Sequence, residues 1–215
     1  MAGIEAGICM GMGNHISGLL MLGLVAPALA QTTATIRGSE AQFSDPSTGV
    51  SFAYPKYWQQ TAGNQFYLGL NLIPEKAEVR GAVAWKAKAD AKTTLAGAQF
   101  LYALQKDVSF ADCMHPHNEG DATDSTVNTV KIRGVAYAHS RAEDAAMCHH
   151  QKEDVYATYR YGACYLFDFS VRTLCPGVVD GMREATPAEL ADMDARLLGI
   201  LKTVQIGKPE AAAVH

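Results

Sequence analysis

Two short stretches hold most of the residues that could do chemistry. Cys113-Met114-His115-Pro116-His117 and Met147-Cys148-His149-His150 each gather sulfur and imidazole within five residues. Residues at i and i+2 of an extended segment point the same way, so His115 and His117 can face a common ion. Thiolate, imidazole and thioether together suit Zn or Cu(I). The candidate ligands of such a centre are Cys113, His115, His117, Cys148, His149 and His150. Against it, the chain has no Cys-x-x-Cys, no His-Glu-x-x-His and no other zinc-module spacing. A sulfur already oxidised to a disulfide cannot ligate.

Nucleophilic catalysis has less support. Cys148 and His149 are sequence neighbours, but adjacent strand residues point to opposite faces, whereas a working pair needs thiol and imidazole within hydrogen-bond reach. There is no Gly-x-Ser-x-Gly elbow, phosphate loop or dinucleotide fingerprint. Asp168 sits among aromatics in Tyr165–Arg172. Alternation sets it opposite Phe167 and Phe169, alongside Ser170 and Arg172, so it reads as a surface acid. No catalytic residue is nominated, no cofactor is implied, and the chain reads as a non-enzyme.

A disulfide framework accounts for the cysteines better. Cys9 lies in an N-terminal leader, which leaves Cys113, Cys148, Cys164 and Cys175, an even number with three possible pairings. The runs ending near Arg160 and beginning near Cys164 read as a hairpin turning at Gly162. A three-residue loop, Tyr161 to Ala163, matches Val155, Ala157 and Tyr159 with Tyr165, Phe167, Phe169 and Val171 on one face, and brings Cys148 within one step of Cys175. A two-residue loop sets those cysteines directly opposite but mismatches the apolar faces; a bulge near the strand ends reconciles the two. The favoured pairing is therefore Cys148–Cys175, leaving Cys113–Cys164. His149 and His150 are then neighbours of a staple. Tyr54, Tyr57, Trp58 and Phe66 cluster around one turn and are candidates for an apolar groove.

These residues need elements to position them. Val50, Phe52 and Tyr54 alternate with small or polar residues as a half-buried strand does, and the same period recurs in Gln65–Pro74 and Glu78–Lys88. From Thr93 to Val108 the stripe Leu101, Leu104, Val108 has helical spacing. Residues 111–128 read as a long polar loop. Three strands follow: Val130–Arg141, a second from Cys148 and a third from Ala163. Thr186-Pro187-Ala188-Glu189 is a capping box opening a helix whose buried stripe is Leu190, Met193, Leu197, Leu201 and Val204. Strands with helices gathered on the sheet faces make an α+β fold: an antiparallel sheet of about six or seven strands, an α/β/α sandwich.

The N-terminus reads as a secretory leader. An apolar run begins near Ile16, Ala28-Leu29-Ala30 supplies the small-x-small cleavage pattern, and the run is too short to span a bilayer, although Glu5 precedes it and no Lys or Arg does. The expected organisation is a signal peptide over 1–30, a polar lead-in over 31–41, one domain over 42–206 and a frayed tail over 207–215. Export places the protein in the periplasm or outside the cell, where cysteines oxidise. A formal charge of -4 without a basic run argues against nucleic acid as a partner. No stable membrane insertion is expected after leader removal.

Phe43–Trp58, an aromatic strand ending at Tyr54-Pro55 with Trp58 close by, resembles the entry to PsbP-like domains. The segment Ile132–Arg141, the long paired strands after it and the helix Glu189–Ile206 are similar to that family in order and spacing. The resemblance implies an α/β/α sandwich and a binding or assembly role, with no shared catalytic residues. The expectation is an exported binding or accessory module for an unknown protein or small ligand. The alternative is a periplasmic transition-metal protein using the two Cys/His clusters.

Overall fold

The computed structural model describes residues 39–61, 72–88, 92–115, 127–177 and 180–209. In chain order the elements are β1 (Glu40–Asp45), β2 (Val50–Pro55), β3 (Gln59–Thr61), β4 (Glu78–Lys86), β5 (Leu95–Gln105) and the short helix α1 (Phe110–Met114). Then come β6 (Asn128–Ile132), β7 (Val135–Ala146), β8 (His149–Arg160), β9 (Ala163–Leu174), α2 (Pro187–Thr203) and β10 (Gln205–Ile206). Seven strands form one antiparallel sheet in the order β3-β4-β5-β9-β8-β7-β6, and β1, β2 and β10 form a second, three-stranded sheet. The fold is α+β, with helices packed on the large sheet.

Both faces of the large sheet are covered. On one, α2 and the small sheet close over Phe100, Tyr102, Tyr165, Phe167 and Phe169, with Phe52 lying 4.9 Å from the Phe100 ring centroid. On the other, Leu101, Ala103, Val155, Ala157 and Leu166 pack with Leu72, Ile73 and Cys113 of α1. Helix α2 starts where its capping box requires: the Glu189 N–H donates to the Thr186 hydroxyl, and the Thr186 N–H donates back to the Glu189 carboxylate.

Burial on both faces explains where the structure departs from sequence expectation. The segment read as a helix from Thr93 to Val108 is strand β5, at the centre of the sheet. Its Phe100, Tyr102 and Leu104 serve one core and its Leu101 and Ala103 the other. A strand apolar on both sides loses the period of two that marks a half-exposed one. Part of the expected polar loop is α1, capped by Ser109, whose hydroxyl accepts from the Asp112 N–H. Val130–Arg141 is not one strand but part of the β6–β7 hairpin, turning at Arg133-Gly134. The β8–β9 loop is two residues, Tyr161-Gly162, with Arg160 paired to Ala163. Val155 and Ala157 therefore lie on the opposite face from Phe167 and Phe169. With both faces buried, that arrangement carries no penalty. Most of the strand expected over Gln65–Pro74 lies outside the described residues.

At Gly81 a β-bulge lets the sheet pass under Phe43: a Cβ here would clash with the Phe43 ring at Cζ. The Phe43 ring is stacked on Phe52 at 4.7 Å and cannot retreat freely. Gly81→Ala is expected to cost about 2 kcal/mol through overpacking. Urea melts of the variant and of Phe43→Leu/Gly81→Ala test this; the second change should recover part of the loss.

Candidate functional site

At one end of the sheet the β7–β8 turn, Met147-Cys148, meets the segment that leaves β9. Three hairpins in the large sheet turn on two residues with both φ values positive: Arg133-Gly134 at 48° and 86°, Tyr161-Gly162 at 50° and 79°, and Met147-Cys148 at 47° and 61°. Such turns match the twist of paired strands and favour glycine, because a side chain in the left-handed region meets its own backbone. Two of the three have glycine second; the third has Cys148. The Cys175 N–H donates to the Cys148 carbonyl at 3.0 Å, fixing the two cysteines across from each other. The neighbouring Cys148 thiol, with burial, pushes the Cys175 pKa up.

Next to this rim lies a cleft of about 510 Å³ between the ends of β8 and β9 and the start of α2. Leu174, Pro176, Ala185 and Leu190 supply apolar walls, and His149 and Glu184 supply polar positions. Its floor is well tied: the Leu174 N–H donates to the Thr94 carbonyl at 2.8 Å, and the Ala185 N–H to the Thr94 hydroxyl at 2.9 Å. Arg172 Nη2 donates to His149 Nδ1 at 2.8 Å. Partial burial and the Arg172 charge hold the His149 pKa below its ordinary value, which favours neutral imidazole. Met147 stands 95% exposed at the tip of the turn.

Among the described residues the metal-ligand candidates do not converge. Cys113 is bonded to Cys164, so its sulfur is taken. His115 is exposed, with Nδ1 3.0 Å from the Ala111 carbonyl. His150 reaches toward Glu143 at 3.5 Å. Among the described residues no three His, Cys, Asp or Glu side chains are grouped to hold a metal ion. His117 and Phe66 lie outside the described residues. Of the groove candidates, Tyr54 and Trp58 are buried in the core, while Tyr57 is exposed and bonds to Arg196, so these three do not share an open face. Cys148 and Cys175 are free thiols, not the disulfide expected of them.

A second group was misplaced by sequence reasoning. Asp168 is not a surface acid; it is 2% exposed. It lies on the α1 side of the sheet with Gln99, Gln151, Glu153 and Ser170, all buried. The Ser170 hydroxyl donates to Asp168 Oδ2 at 3.1 Å, and the Gln151 amide donates to Glu153, which also accepts from the Leu72 backbone. Burial pushes the Glu153 pKa up to about 7, against those hydrogen bonds. Asp168 is pushed well above its ordinary value, first by burial and then by the Glu153 charge. Its Oδ1 has no hydrogen-bond partner among the described residues. The position of Asp168 between two aromatics was a usable signal once β9 is known to be a central strand.

On the other face Asp154 behaves oppositely. Burial works against its charge, but hydrogen bonds from His139 at 2.7 Å and Arg141 at 2.8 Å outweigh it and hold the carboxyl below its ordinary range. Lys152 continues the network to Asp194 at 2.6 Å.

No protein-family model matches the chain, and no curated protein is similar to it in sequence. Solved structures similar to it include a protein from Bacteroides thetaiotaomicron (14% identity, TM-score 0.46, covering 80% of this chain and 50% of that one). LpqN of Mycobacterium tuberculosis, described as involved in cell envelope biogenesis, is 11% identical with a TM-score of 0.45, covering 78% of this chain and 90% of its own. Cyanobacterial PsbP (CyanoP) from Synechocystis sp. PCC 6803 is 12% identical with a TM-score of 0.43, covering 83% and 99%. The chain thus spans half the length of the Bacteroides protein.

Proposed function

We propose that the chain is an exported binding or accessory module of the PsbP-like kind, with a leader over 1–30, a polar lead-in ahead of β1, and a folded domain from β1 to residue 206 followed by a tail over 207–215. The observation that carries the binding reading is the cleft beside the β7–β8 turn. Its volume of about 510 Å³ falls within the roughly 300–1,000 Å³ typical of ligand sites. Apolar walls with a few polar positions suit a small amphipathic ligand or a peptide segment. His149 is engaged by Arg172 and is not paired to a nucleophile, which supports binding over turnover. The Cys113–Cys164 bond and the leader together support an oxidising compartment.

Two measurements test this reading. Expressed with its leader in a bacterial host, the periplasmic protein is expected to begin at Gln31 by intact mass; retention of residues 1–30 in the cytoplasmic fraction would count against export. An NMR fragment screen of the mature protein is expected to shift amides of Thr94, Ala145, His149, His150, Leu174 and Leu190 together. Shifts confined to another face, or none with any fragment, would remove the cleft as the binding site.

A further inference from the structure

We propose that Cys148 and Cys175 form a thiol–disulfide exchange site whose substrate is a solvent-exposed disulfide. Both cysteines line the cleft described above, but the proposal stands on the two residues and their backbone and not on what that cleft binds.

Three observations carry it. The Cys175 N–H donates to the Cys148 carbonyl, so strand pairing continues to the cysteines themselves and holds the side chains opposite each other without a covalent link. Cys148 occupies the second, left-handed position of its turn at φ 61°, where the two sister turns have glycine. A non-glycine residue there is held at a steric cost, and such strain persists where something else depends on the side chain. The two cysteine pairs also differ in access. Cys113 and Cys164 are buried and bonded, whereas Cys148 is exposed and Cys175 partly so, and both are thiols. One pair is shut away from solvent reagents; the other faces them.

The chemistry balances as ordinary exchange. The exposed Cys148 thiolate attacks one sulfur of a substrate disulfide R–S–S–R′, forming a mixed disulfide and releasing R–S⁻. Cys175, losing its proton to solvent, then attacks the Cys148 sulfur, closing Cys148–Cys175 and releasing R′–S⁻. The pair gives up two electrons and two protons, and the substrate is reduced to two thiols. The difference in access suits this order, with the exposed Cys148 the attacking and the partly buried Cys175 the resolving thiol.

The test uses the full mature protein in buffers of graded reduced and oxidised glutathione, quenched with an alkylating agent and read by intact mass and peptide mapping. Cys148 and Cys175 are expected to convert together as one two-electron step while Cys113–Cys164 stays bonded. In Cys175→Ser, glutathione should accumulate on Cys148, about tenfold over wild type, because resolution is lost. Repeating the titration with a disulfide-bridged peptide separates a small-molecule from a peptide substrate. The proposal is overturned if the two thiols alkylate independently at every ratio, or if Cys175→Ser traps no adduct. It is also overturned if the pair resists reduction as Cys113–Cys164 does, or if stoichiometric zinc or copper copurifies on the thiols.

Discussion

Between about pH 5 and pH 8 the protein is expected to lose about 3 kcal/mol of folding stability, and Glu153→Gln is expected to abolish most of that loss. The cause is the burial of Glu153 and Asp168 on adjacent strands of one covered face. In the folded chain Glu153 keeps its proton up to about pH 7, against 4.5 as the ordinary value. The folded state therefore binds more protons than the unfolded state in that window. Stability is full below the unfolded value and falls as pH rises through the folded one. Asp168, also raised well above its ordinary value by burial and by the Glu153 charge, adds to the decline in the same direction. Glutamine keeps the acceptor for the Leu72 N–H and carries no charge, so the variant should be more stable than wild type at pH 8 and little changed at pH 5. Asp168→Asn should act in the same direction. Asp45 and Asp154 work on the acid side: their pKa values are lowered, so the stability they contribute is lost as pH falls below the carboxylate range. The wild type should thus be most stable near pH 5. Urea midpoints at pH 5, 6.5 and 8 decide the matter. A midpoint that is flat or rises toward pH 8 would refute the buried-acid account.

Removing the Cys113–Cys164 bond should have an effect of similar size. The bond closes a separation of 51 residues, which in the chain-entropy model corresponds to about 4 kcal/mol of stabilisation. It also tethers α1, whose five residues are far too few to be helical alone. Cys113→Ala/Cys164→Ala, which leaves no lone thiol in the α1-side core, is expected to lower unfolding stability by about 3–4 kcal/mol. Hydrogen exchange in α1 and in the facing part of β8 should rise along with it. Unchanged denaturant midpoints in the double variant would show that neighbouring packing, not the bond, holds this face. Cys148→Ser/Cys175→Ser is the matched control, since these thiols form no bond in the structure, and it should cost little.

The parts of this protein legible in one dimension are those whose cause is local. The capping box at Thr186–Glu189 starts α2 where the motif says, because the hydroxyl and the carboxylate satisfy backbone donors within the same turn. Gly162 marked the β8–β9 hairpin because glycine takes the positive φ such a turn requires without steric cost. The Cys113–Cys164 pairing, by contrast, followed from the sequence only as the remainder after Cys148–Cys175, a bond the structure does not contain.

What escaped the sequence depended on which surfaces meet. In β5, the run from Leu95 to Gln105 reads as a helical stripe until it is known to lie between β4 and β9 with a layer on each side. The two-residue loop at Tyr161-Gly162 looked costly only while one face of β8 and β9 was taken to be wet. The same assumption put Asp168 in solvent. Alternation assigned it correctly to the face opposite Phe167, but only the packing of α1, Leu72 and Ile73 makes that face an interior one. Periodicity encodes which side of a strand a residue is on. Whether water or protein lies on that side is decided by chain segments distant in sequence, and with it the ionisation of Glu153 and Asp168.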